Sequence, residues 1–201
     1  MRALLVRSLQ EHLDSLKTLL DSKLDQIQQT GDLICHTLAA GNKVLICGNG
    51  GSAADAQHIA AELVGRYEQN RRPWPAIALT TDTSTLTAVS NDFGFEEVFA
   101  RQLHALAVEG DLLIAISTSG KSPSILRAVE KARELGCRTL GLGGGDGGEL
   151  VKTCDVSLVV DSNRTSRIQE AHITIGHLWC EMVDQLFENA TGLPRGHYDG
   201  G

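Results

Sequence analysis

His58 and Glu62 stand four positions apart in the stretch QHIAAELVGR, residues 57–66. On a helix that spacing puts both side chains on one face, a single turn apart. An imidazole and a carboxylate so placed can exchange a proton or meet one metal ion through nitrogen and oxygen donors. A solvated surface contact has the same spacing, so the pair gains meaning only from what surrounds it.

Three loops offer surroundings. GNGGSAAD (48–55) follows an apolar run and precedes a helical stretch. Its glycines let backbone approach a ligand, and Ser52 is placed to cap a helix whose N-terminus favours an anion. Gly48, Gly50 and Ala53 also form a degenerate dinucleotide fingerprint. That motif wants an acidic residue about 20 positions on. Asp82, the candidate, lies 34 beyond Gly48, which speaks against it. STSGKSPS (117–124) is more telling. Ser117, Thr118, Ser119 and Ser122 bring four hydroxyls to a helix start, a phosphate cradle that does not depend on Lys121. GGGDGG (143–148) could cradle an anion, yet such a cluster is more often simply a mobile turn, and it is left unassigned.

The elements between these loops alternate. Apolar runs at 43–48, 75–82, 111–120, 138–144 and 156–160 are separated by helical stretches at 52–67, 83–90, 96–108 and 124–136, and 167–190 is a long terminal helix. Strands apolar throughout belong to a parallel sheet covered on both faces. The expected fold is α/β: a doubly wound five-stranded parallel sheet flanked by helices, with ligands beyond the carboxyl ends of the strands. One domain spans 1–201, with N-terminal helices over 1–40 and the layered core over 43–190. Leu5, Leu9, Leu13, Leu16, Leu20, Leu24 and Ile27 form a seam with the period of a straight helix. It predicts a helix of some 25 residues that packs on its own domain or on a second subunit, followed after Gly31 by a short helix to Ala40.

Composition narrows the partners. A formal charge of −7 argues against nucleic acid, which is bound by basic surfaces. Five cysteines without a CxxC pair fit reduced thiols, and neither an apolar leader nor an 18-residue apolar span is visible, so a cytoplasmic protein is expected. His12, His36, His104 and His197 show no partner pattern, and GLPRGHYDGG (192–201) suggests no role.

CGNGGSAADAQHIAAEL, NDFGFEEVFARQL, ISTSGKSPSIL and SRIQEAHITIGHLWCEMVD, taken in order over nearly the whole chain, resemble the bacterial phosphoheptose isomerases of the sugar-isomerase (SIS) fold. The resemblance implies an αβα sandwich and a phosphosugar isomerase acting on sedoheptulose 7-phosphate. It gives D-glycero-D-manno-heptose 7-phosphate, the first step toward activated heptose for lipopolysaccharide or another surface glycan. It also implies a homotetramer with active sites between subunits and one zinc per subunit, on His58, Glu62, Gln169 and His177. Substrate contacts would come from Asn49, Gly50, Gly51, Ser52, Glu62, Asn91, Asp92, Ser117, Thr118, Ser119, Ser122 and Gln169. Glu62 would be the base and His177 the acid. His172, one turn from Gln169, competes with His177 by spacing, and only the resemblance favours the latter. Gln169 and His177 are about 12 Å apart along a straight helix. A four-ligand site therefore needs either a bent helix start at Gln169 or a subunit boundary.

Two rivals remain at this level. An inactive SIS-fold adaptor that binds the bacterial replication initiator resembles the chain in part, but it lacks the glutamate and the last histidine found here as Glu62 and His177. A regulator that binds a sugar phosphate without turning it over is the other.

Overall fold

A computed structural model describes residues 1–191. The tail 192–201, with His197, lies outside the described residues. Five strands, β1 (Val44–Gly48), β2 (Ala76–Ala78), β3 (Leu112–Ser117), β4 (Arg138–Gly144) and β5 (Val156–Val160), form one sheet. Its order is β2-β1-β3-β4-β5 and every pairing is parallel. All residues of β1 and β3 are buried, because both faces of the sheet are covered. That is why they read as unbroken apolar runs.

Alternate side chains feed two cores. Val44, Ile46, Leu112, Ile114, Leu140 and Leu158 pack under α2 (Leu24–Ala39), α3 (Gly51–Val64) and α8 (Thr165–Thr191). Leu45, Cys47, Leu113 and Ala115 pack under α5 (Val98–Leu106) and α6 (Pro123–Glu134) on the other face. The helix after β1 and the helix after β3 therefore leave toward opposite faces. The crevice they open at the carboxyl ends of β1 and β3 is the place where such sheets bind ligands.

The N-terminal region departs from expectation. α1 (Arg2–Ser22) stops at Lys23, whose φ of −120° and ψ of −2° break the helix, and α2 then runs straight through Gly31. Gly31 does not end a helix because it is a packing site: a methyl there would collide with Met182 and touch Trp179 of α8. Only part of the seam packs on its own domain, where Leu16 lies against the core and Ile27 is buried in it. Leu5, Leu9, Leu13, Leu20 and Leu24 are exposed, whereas Leu19 and Ile27 are buried. β2 is shorter than its apolar run suggested, because the segment from Leu79 turns toward α4 (Thr83–Phe93). Among the described residues no helix is long and apolar enough to cross a membrane. The five cysteines are free, and burial raises the thiol of Cys35 to about 11.

Candidate active site

α3 and α8 lie side by side and run in the same direction. At their N-terminal ends a methyl on Gly51 would press on the Gln169 side chain, its Cδ 2.8 Å away. Two turns further, Gly176 accommodates Ile59, and His177 meets His58 with 3.0 Å between their Nε2 atoms. His58 Nε2 is also 3.4 Å from Glu62 Oε1. The paired helices α3 and α8 thus have an outer end at the strand edge and an inner end holding an imidazole–imidazole–carboxylate group. The His58 side chain is 47% exposed and that of Glu62 24%, so the inner end is open to a ligand.

The outer end is built from two loops tied together. Asn49, directly after β1, donates from Nδ2 to Ser122 Oγ at 2.9 Å and to Ser124 Oγ at 3.0 Å. Ser117 Oγ accepts from Gly120 N at 3.1 Å and Ser119 Oγ from Lys121 N at 3.3 Å, which fold the hydroxyl segment into a tight loop. Gly120 has φ +62°, and a Cβ there would strike the Gly147 carbonyl oxygen. Only glycine satisfies both constraints. The unassigned 143–148 cluster thereby acquires a role, as the buttress behind the hydroxyl loop. His172, fully buried, pins it by donating from Nε2 to Gly143 O at 2.9 Å. Burial holds that imidazole neutral, lowering its pKa to about 4. Thr118, Ser119 and Lys121 on one side and Gly145, Asp146 and Asn163 on the other line a cavity of about 420 Å³.

Several expectations are corrected. Ser52 is not a cap: Gly50 is the N-cap of α3, and Ser52 is buried in its first turn. Ser122 is the N-cap of α6, but its hydroxyl accepts from Asn49 instead of from the helix. Asp82 caps α4 by accepting from Thr85 N and is not free for a ribose. His172 does not compete with His177, since it is sealed against β4. His12 has a partner after all, Glu170 Oε2 at 2.7 Å. Asn91 and Asp92 are exposed at the end of α4, where Asn91 Nδ2 donates to Asp92 Oδ1 at 2.7 Å. Among the described residues no hydrogen bond ties them to His58, Glu62 or His177.

α8 is continuous from Thr165, so no break at its start swings Gln169 toward His177. Gln169 belongs with Gly51 at the outer end. Two donors about 2.1 Å from one tetrahedral zinc lie about 3.4 Å apart. The His58–Glu62 separation matches this, and the His58–His177 contact is slightly short of it. The donor types suit zinc. Yet among the described residues no three of His, Cys, Asp and Glu converge as a ready metal cluster. The His58 and His177 rings meet edge to face, at 62°.

Three neighbours escaped the sequence reading. Asp55 shares the α3 face one turn before His58. Burial raises its carboxyl to about 6 while His58 opposes the shift, and Oδ2 has no hydrogen-bond partner. Its spacing of three from His58 was a usable signal. The Tyr67 ring stacks on His177 with centroids 5.6 Å apart. Arg71 donates to the Glu62 carbonyl at 2.9 Å. Neither contact carries a sequence signature, because the segment 65–72 folds back irregularly.

Comparison with known proteins bears on the fold and the family. Residues 9–144 match the SIS domain family. Phosphoheptose isomerase of Aliarcobacter butzleri is 50% identical over 184 residues, 92% of this chain and 97% of that protein. Phosphoheptose isomerase 1 of Campylobacter jejuni is 58% identical over 162 residues, 81% and 87% of the two. The chain belongs to the phosphoheptose isomerases of the SIS family. The solved phosphoheptose isomerase of Neisseria gonorrhoeae superposes with a TM-score of 0.87 at 40% identity, covering 92% of this chain and 98% of that one. The fold and the isomerase class read from the motifs are therefore correct, and the adaptor alternative has no support among these relatives.

Proposed function

We propose that this isomerase converts sedoheptulose 7-phosphate to D-glycero-D-manno-heptose 7-phosphate through an enediol. The carrying observation is the pair of ends along α3 and α8. A hydroxyl and backbone N–H cradle sits at the outer end, and Glu62 with His177 at the inner end. Ser117, Thr118, Ser119 and Ser122 bind the phosphate, with Asn49, Gly50, Gly51 and Gln169 along the chain of the sugar. That remote binding energy fixes the first two carbons at the inner end.

There Glu62 removes the proton from C1 and returns it to C2. His177 moves the proton between O1 and O2 as a general acid and base. The net change is one proton moved between carbons and one between oxygens, with no redox partner. Zinc is part of this proposal, held by His58, Glu62 and His177, with Gln169 joining only where a neighbouring subunit or a side-chain rearrangement brings it in. When bound, it would polarise the carbonyl.

The reading includes a cytoplasmic homotetramer. The exposed leucines of α1 supply an apolar face for a second copy, and Asn91 and Asp92 would complete a neighbour's site. The product would supply activated heptose for lipopolysaccharide or another surface glycan. NMR of the protein with sedoheptulose 7-phosphate, with and without a chelator, tests this. Aldose anomeric signals should grow at the expense of the ketose, and an untouched ketose in both samples would refute the assignment.

A further inference from the structure

We propose that the buried Arg71–Asp184 ion pair is a positioning device for the reacting groups, holding Glu62 by its backbone and His177 through Tyr67. It rests on the assignment of Glu62 and His177 made above. Arg71 Nε and Asp184 Oδ1 are 2.6 Å apart, and the two side chains are 0% and 4% exposed. Nη2 of Arg71 donates to Glu62 O at 2.9 Å, and Nη1 donates to Leu63 O at 2.9 Å and to Arg72 O at 3.2 Å. Asp184 Oδ2 accepts from the backbone N–H groups of Glu68 and Gln69, both at 3.1 Å.

The consequences follow from where these atoms lie. The last carbonyls of α3 have no partners within the helix. Here a guanidinium satisfies two of them, one belonging to Glu62 itself. Asp184 is seven residues after His177, on the same side of α8 and about two turns along. The pair therefore bolts the end of the helix that carries Glu62 to the helix that carries His177. By gripping residues 68 and 69 it also holds the short return segment in which Tyr67 lies flat on the His177 ring, at an interplanar angle of 28°.

A capping role alone does not need this arrangement. Burying two charges is costly, and apolar side chains of similar volume often serve stability as well or better. What an apolar pair lacks is a fork of donors with fixed angles. Such a fork sets the distance between two helices and the orientation of a loop at once. Errors of about 1 Å in reacting groups can cost about 100-fold in rate, so this is where rigidity matters.

The test compares Arg71→Lys, Tyr67→Ala and Tyr67→Phe with the wild-type protein. Arg71→Lys keeps the charge but loses the fork to Glu62 O and Leu63 O. Turnover of sedoheptulose 7-phosphate, thermal unfolding and the His177 ring resonances are read for each. Proteins fully folded at the assay temperature should show kcat about tenfold lower in Arg71→Lys and Tyr67→Ala, with KM within about twofold. The His177 resonances should move in both, since the ring over them has shifted or gone. Tyr67→Phe, which keeps the ring, should restore both readouts. A folded Arg71→Lys with wild-type kcat and unmoved His177 resonances overturns the proposal. If Arg71→Lys does not fold, Tyr67→Ala decides: unchanged kcat and resonances overturn it, and loss rescued by Tyr67→Phe supports it. A wild-type protein that leaves the ketose phosphate untouched refutes the functional assignment and this proposal together, whereas an active wild type with indifferent variants refutes only this one.

Discussion

The hydroxyl loop at 117–124 and the Asn91–Asp92 pair were both expected to touch substrate, yet the folded chain treats them differently. The first is finished. Its hydroxyls are engaged with Asn49 and with the loop's own backbone, and Gly147 and His172 brace it from behind. The second is bare. Asn91 and Asp92 bond to each other in the open, beside the exposed rings of Phe93 and Phe95. A loop braced from within its own chain is one whose ligand can bind to a single chain. An exposed amide–carboxylate pair next to apolar surface has the character of a half-site that awaits another surface.

The largest effect belongs to the inner end, which both regions serve. Replacing His177 with Gln should lower kcat about 100- to 10,000-fold in steady-state assays while the circular dichroism spectrum stays native. Asp92→Ala sharpens the contrast itself. It should lower kcat/KM about 100-fold, and mixing it with an inactive Glu62→Gln chain, followed by subunit exchange, should restore part of the activity. No recovery on mixing would place Asp92 in its own chain's site. Ser122→Ala removes an acceptor from the finished region. KM should rise about tenfold with kcat little changed, and mixing should recover nothing.

The smallest effect concerns the brace. His172 is held neutral with a pKa near 4, down from 6.5, because burial penalises its charged form. Between those values the unfolded chain binds the extra proton. The stabilisation is therefore complete above about pH 6.5 and is lost as pH falls toward 4. Unfolding titrations at pH 7 and pH 5 should show wild type losing about 2 kcal/mol more than His172→Gln over that interval.

Most of the sheet was legible because parallel strands buried on both faces are apolar nearly throughout, as VLICG and LLIAIS are up to the terminal Ser117. The helix face of His58 and Glu62 followed from spacing alone. What escaped depended on contacts between distant segments. Gly31 looks like a stop signal until Met182 is seen to occupy the space its missing side chain leaves. Ser52 looks like a cap because nothing local shows that Gly50 takes that position with φ +57°. Arg71 carries no signal in the sequence, and only its burial against Asp184, more than a hundred residues on, reveals its partners. Gln169 was placed by resemblance among zinc donors, and its contact with Gly51 has no signature in the sequence.

The central claim is that one carboxylate does the carbon chemistry. It is tested most directly by following sedoheptulose 7-phosphate by NMR with wild-type and Glu62→Gln proteins side by side. The wild-type sample should develop the anomeric signals of an aldoheptose phosphate. The variant should still broaden the ketose signals by binding but form no aldose. Equal formation of aldose in both samples would contradict the account.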